Sequence, residues 1–183
     1  MSSQKCLRFV QSVFESFQAN SGLEPRLLNG LRVTAARPGV VNFELHIEKH
    51  HTNRLNILHG GTIASMVDLG GSLAVASRGL FATGVSTDLN VTYLNSGGKV
   101  GDLIRASQIS PPPTTTSFLS SILKLLTFTI TVGKTLAYTS INFHNEKQEL
   151  VARGSHTKYV TLAWKDPNNI VEELSPKPEK KSE

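Results

Sequence analysis

The segment Gly60–Gly79 constrains the fold of this chain more than any other. Ile63, Met66, Val67, Leu73 and Ala74 fall at offsets of 0, 3, 4, 10 and 11, the period of a helix. The residues between them are small: Ala64, Ser65, Gly70, Gly71, Ser72, Ala76 and Ser77. Two glycines inside a helix cost about 1 kcal/mol each relative to alanine, so they need a packing reason. Small side chains let other backbones approach closely, which predicts a central helix packed on more than one side.

Beyond Gly84 the period changes to two. Val85, Thr87, Leu89, Val91 and Tyr93 are expected on one face of a strand, with Ser86, Asp88, Asn90 and Thr92 on the other. Asn95–Gly98 turns the chain into a second strand over Val100–Ser107. Thr135–Phe143 reads as a third, and Leu150–Val160, after a turn at His144–Glu149, as a fourth.

Upstream, Val41, Phe43, Leu45 and Ile47 alternate with Asn42, Glu44, His46 and Glu48, the pattern of a half-buried antiparallel strand. Pro38-Gly39 would turn into it from a strand over Arg32–Ala36. Leu7, Val10, Phe14 and Phe17 form one stripe of an amphipathic helix that Asn20-Ser21-Gly22 ends. The order predicts an α+β domain: one antiparallel sheet, its last four strands a meander, with a long helix against one face. Residues 1–22 would be an N-terminal helix and 23–164 the domain. The Pro- and charge-rich stretch 165–183 is expected to be a disordered tail.

Composition adds exclusions. A single cysteine, Cys6, leaves no disulfide framework and no cysteine-based zinc site, and favours a reducing compartment. His50 and His51 are adjacent, a poor chelating geometry, so no metal is expected. No apolar run reaches the roughly 20 residues of a membrane span, and polar breaks at Gln11, Ser12, Glu15 and Ser16 argue against a signal peptide. The expected location is intracellular, cytoplasmic or mitochondrial, the latter hinted by Lys5 and Arg8. The net charge of +5 suits phosphate-bearing partners, but no nucleic-acid signature accompanies it.

Charged residues make up only 18% of the chain, below the usual proportion of about 25%. One region explains the deficit: residues 106–133 hold a single charge, Lys124. Its Pro-Pro-Pro-Thr-Thr-Thr run suits neither a helix nor a central strand. Residues 108–132 therefore form an atypical insertion in what should be a tight hairpin. Three readings stand open: a surface insertion packing its own apolar residues, a lid over an acyl-binding site, or retained non-coding sequence.

Four polar features surround the central helix: His51-Thr52-Asn53, His59-Gly60-Gly61, Asp68 and Ser86-Thr87-Asp88. Asp68 shares a helical face with Gly61, Ala64, Ser65 and Ser72, a setting that half-buries a carboxylate. Gly60 and Gly61 would present unobstructed amides at a helix N-terminus, where negative charge is stabilised. Together they make an oxyanion hole and a base. Taken singly, each has a plainer reading: a turn at the glycines, a hydrogen-bonded surface Asp, a structural His59.

The runs HTNRLNILHGGTIASMVD, GVSTDLNVTYL, GKTLAYTS and ARGSHTK resemble the hotdog-fold acyl-coenzyme A thioesterases. They are most similar to the thioesterase superfamily member 2 (acyl-coenzyme A thioesterase 13) group, related to phenylacetyl-CoA thioesterases. The likeness spans about Pro38 to Lys158, interrupted by the insertion. It implies a hotdog fold and hydrolysis of fatty acyl-CoA, with Asp68 as general base or nucleophile and the Gly60 N–H polarising the carbonyl. His59 would support that loop, Asn53 would hold water or carbonyl, and Ser86 would orient the water or Asp68.

Coenzyme A, part of the substrate rather than a separate cofactor, would be gripped by Asp88, Tyr93, Asn95, Ser96, Gly97 and Gly98. Gly133, Lys134 and Thr135 would join them, with Lys134, Arg153 and Lys158 meeting its phosphates. The resemblance further implies a homodimer, as a dimer of dimers, with each site shared between subunits. Asn56 departs from the pattern where the family often has glycine. A catalytically weak acyl-CoA binding protein is the alternative reading, and an enoyl-thioester hydratase is disfavoured by the spacing of His59-Gly60-Gly61 to Asp68.

Overall fold

The computed structural model describes residues 2–107 and 131–175. The insertion expected at 108–132 lies almost wholly outside the described residues. Helix α1 (Ser2–Asn20) and a short α2 (Glu24–Leu27) precede strands β1 (Arg32–Arg37) and β2 (Val40–His46). Helix α3 (Gly60–Ala76) follows, then β3 (Val85–Tyr93), β4 (Leu103–Ser107), β5 (Thr131–Val132), β6 (Leu136–His144), β7 (Leu150–Tyr159) and α4 (Val171–Leu174). This is a hotdog fold, an antiparallel sheet curled around one long helix.

The sheet runs β1-β2-β4-β6-β7-β3, with β5 also on β6. The last strands are thus not a meander: β3 pairs with β7 at one edge, and β4 crosses over to β2. Backbone bonds along the connection explain the crossing. Leu58 N donates to Gly98 O at 2.8 Å and Ile47 N to Asp102 O at 2.9 Å, steering the chain past the start of α3 to the free edge of β2.

Helix α3 is enclosed as its small residues predict. Ile63, Met66, Val67, Leu69, Leu73 and Ala74 are all at most 3% exposed. A side chain at Gly70 would collide with Ile141 and Phe43, which is the packing reason for that glycine. Helix α1 covers β1 and α3 through Cys6, Val10 and Val13. That seam is rotated from the expected stripe: Leu7, Phe14 and Phe17 lie at its margins, only partly buried.

Residues 165–175, expected in the tail, are folded against the domain. Ile170 N donates to Gly79 O, the Asn169 carboxamide bonds Phe81 N and Ala163 O, and Leu174 is 4% exposed. Residues 165–175 are therefore bound to the domain, because Ile170, Val171 and Leu174 complete an apolar seam. Residues 176–183 lie outside the described residues.

Candidate active site

The start of α3 is built by the loop before it. The His59 imidazole caps the helix, its Nδ1 accepting from Gly61 N at 2.8 Å, and its carbonyl takes the N–H groups of Thr62 and Ile63. Of these first-turn amides, Gly60 N–H has no partner among the described residues. Asn53 holds its own loop, Oδ1 accepting from Leu55 N at 2.9 Å and Ile57 N at 3.4 Å, which leaves its NH₂ as the group free to donate outward. Asn56 has φ 59°, the left-handed region that glycine enters freely and asparagine tolerates better than other side chains. The departure from glycine therefore leaves the loop intact.

His51 anchors this loop from below. It is fully buried, Nδ1 accepting from Glu48 N at 2.9 Å and Nε2 bonding Leu27 O at 2.8 Å. Its carbonyl accepts from His59 N and the Thr62 hydroxyl. Burial, reinforced by neighbouring His50, pushes the His51 imidazole below its ordinary pKa.

Asp68 sits two turns into α3, its side chain 46% exposed. Ser86 Oγ lies 3.2 Å from Asp68 Oδ1 and 2.9 Å from His156 Nε2, and His156 Nε2 is 3.4 Å from the same carboxylate oxygen. A β-bulge makes this possible. The β3–β7 register slips between Ser86 and Asp88, so Ser86 faces α3 together with Leu89, Val91 and Tyr93. The expected alternation placed Ser86 with Asp88 on the opposite face; one extra residue re-aims it, as bulges beside functional sites do.

His156 was not among the residues singled out from sequence. Its imidazole is fully buried, and its Nδ1 has no hydrogen-bond partner among the described residues. Burial first and the Lys158 ammonium second push its pKa below the ordinary value, against the pull of Asp68. The signal was present in the strand itself. Ala152, Gly154, His156, Lys158 and Val160 alternate inward, and a histidine and a lysine at inward positions mark a site.

The residues expected to grip coenzyme A fall into separate groups. Tyr93, Asn95, Ser96, Gly97 and Gly98 lie beside the Gly60 end of α3: Tyr93 Oη donates to Gly60 O at 2.9 Å, and Gly97 packs on Leu58. Gly133, Lys134 and Thr135 form the β5–β6 turn at the opposite end, where Thr135 O accepts from Val160 N. Asp88 and Arg153 are exposed on the sheet face turned away from α3. Lys158 is misplaced by the expectation of a phosphate partner: it is 3% exposed, with Nζ 3.9 Å from Asp68 Oδ1. Its inward position on β7, opposite Ser86, puts it in the carboxylate cluster.

A helix N-terminus with a spare amide and a carboxylate–serine–histidine chain suit acyl transfer to water. Comparisons with known proteins agree. The model of the "Thioesterase superfamily" matches residues 55–107. A protein of Schizosaccharomyces pombe described as an esterase is 41% identical over 171 residues, 93% of this chain and 94% of its own. The chain belongs to the thioesterase superfamily.

Human acyl-coenzyme A thioesterase 13 is 31% identical to this thioesterase over 136 residues, 74% of this chain and 83% of its own. The crystal structure of zebrafish thioesterase superfamily member 2 superimposes with a TM-score of 0.66 at 31% identity, covering 84% of this chain and 96% of that one. This chain is a thioester hydrolase of the same fold. No helix among its described residues is long and apolar enough to cross a membrane.

Proposed function

We propose that this thioesterase hydrolyses fatty acyl-CoA to free fatty acid and coenzyme A, with Asp68 as the base that activates water. The observation carrying the reading is the half-exposed Asp68 carboxylate bonded to Ser86, which His156 holds from below. A bare His156 Nδ1 leaves Nε2–H as donor to Ser86 Oγ, and the Ser86 O–H then points at Asp68. A water bound at the exposed carboxylate edge loses a proton to Asp68 as its oxygen attacks the thioester carbon. An N-terminal amide such as Gly60 N–H stabilises the resulting oxyanion; one such donor is worth about 3–4 kcal/mol. Collapse expels coenzyme A as a thiolate, a good leaving group at neutral pH.

One chain cannot supply both halves. Gly60 and Asp68 are eight residues apart on α3, about 12 Å along the axis at 1.5 Å per residue, too far to serve one carbonyl. Likewise the Tyr93–Gly98 turn and the Gly133–Thr135 turn lie at opposite ends of β3 and β7, about 25 Å apart at 3.3 Å per strand residue. β3 is an edge strand whose residues are nearly all exposed, including Val85, Leu89 and Tyr93. Pairing β3 antiparallel with β3 of a second copy satisfies that edge. By two-fold symmetry it carries the start of one strand to the end of the other. Asp68, Ser86 and Gly133–Thr135 of one subunit then meet Asn53, His59, Gly60 and Tyr93–Gly98 of its partner. Lys134 and Arg153 supply positive charge for the phosphates of coenzyme A.

A thiol-release assay with medium- and long-chain acyl-CoA tests the reading. Wild type should release thiol, and Asp68→Ala should lose nearly all of that rate. Equal rates for the two proteins would refute the assignment.

A further inference from the structure

We propose that Lys158 is a positioning residue for Asp68, its ammonium holding the carboxylate on the Ser86 side and keeping a fixed positive charge beside the reacting centre. The proposal rests on the thioesterase reading of Asp68 given above.

A lysine in a sheet interior needs an explanation, because desolvating an ammonium is strongly unfavourable unless it is paired. Lys158 is 3% exposed. Among the described residues the carboxylate within ion-pair distance is that of Asp68, 3.9 Å away. The groups facing the ammonium come from three elements. Asp68 comes from α3, Ser86 stands opposite on β3, and His156 lies two residues back on β7, while Ala137 on β6 brings no charge. Asp88 on β3 acts on His156 from farther away. Burial pushes the Lys158 ammonium below its ordinary pKa, and Asp68 pulls it back.

The geometry gives the charge a task at each stage. Asp68 is half exposed, so its carboxylate could swing toward solvent; the ammonium and the Ser86 hydroxyl, both beside Oδ1, hold it against the sheet. When Asp68 takes the proton of the attacking water, negative charge leaves the carboxylate and appears on the thioester oxygen. The ammonium does not move, and its attraction is transferred to the new anion without reorganisation, the condition under which fixed charges contribute most. A phosphate-gripping lysine would behave differently, since its loss weakens substrate binding rather than turnover.

Thiol release by Lys158→Met and Lys158→Arg, with thermal midpoints recorded alongside, separates the two roles. Lys158→Met should lose about tenfold or more in kcat with little change in KM, and Lys158→Arg should recover much of it. Wild-type kcat in a folded Lys158→Met, or a loss confined to KM, would overturn the proposal. A second measurement needs neither activity nor a change at the buried position: the Lys158 side chain is titrated by NMR in wild type and in Asp68→Asn. Removing the half-exposed carboxylate should lower the pH at which Lys158 titrates, and identical titrations would overturn the pairing. If wild type released no thiol, the thioesterase reading would fail, and this titration would still decide whether Lys158 and Asp68 are coupled.

Discussion

Gly71 on α3 and His156 on β7 are in direct contact: a Cβ at residue 71 would lie under 3.0 Å from His156 Nδ1 and 2.9 Å from Thr139 Oγ1. The second mid-helix glycine thus makes room for the imidazole that supports Ser86. Gly71→Ala should therefore displace His156 from Ser86. Overpacking of this kind costs about 1–3 kcal/mol, and kcat should fall further than the thermal midpoint suggests. Steady-state kinetics beside a melting curve checks this; a folded Gly71→Ala with unchanged kcat would show that His156 has no part in turnover.

His51 and His156 are both buried, with imidazole pKa values held below 6.5. The unfolded chain binds protons at these residues more readily than the folded one. Their contribution is fully present above pH 6.5 and is lost as pH falls from there toward the folded values. Urea midpoints measured from pH 7.5 to 5 should decline on the acid side. The decline should be shallower in His51→Asn, which no longer carries one of the two groups.

The strand register fixes how much chain the sheet requires between β4 and β5. Ser107 pairs with Asn142 and Thr131 with Tyr138, both on β6. Three residues, opposite Thr139, Ser140 and Ile141, would join them as one continuous strand, whereas the chain spends residues 108–130 on the connection. A variant with this connection cut to three residues should fold with an unchanged or higher thermal midpoint, since the entropic cost of closing a connection grows with its length. Sequencing of the mature transcript tests the retained-sequence reading alongside it. A cut variant that fails to fold would show that the sheet depends on the connection.

Much of the architecture was legible because it is local. The alternation of Val41–Glu48 gives β2, and the period of Ile63–Ala74 with its glycines gives an enclosed α3. The pairing of β3 with β7 was not legible, because a strand's periodicity does not name its neighbour. Ser86 was placed on the wrong face for a related reason: a bulge of one residue is invisible in an alternating polar strand. A helix start and a carboxylate two turns in single out Gly60 and Asp68 from the residues alone, whereas the roles of Asn53 and His59 are implied by the resemblance. His156 is not marked by the resemblance, and Lys158 enters there as a phosphate partner, although the inward alternation from Ala152 to Val160 marks both as interior.

The account stands on a site shared between two copies of the chain, and mixing two inactive variants tests this most directly. Asp68→Asn and Asn53→Ala are each expected to be nearly inactive alone. Unfolding and refolding them together should yield hybrid dimers in which one of the two sites joins an intact Asp68 to an intact Asn53. Statistical mixing then restores about a quarter of the wild-type rate. A mixture no more active than its parents, with hybrid dimers demonstrably formed, would contradict the shared site.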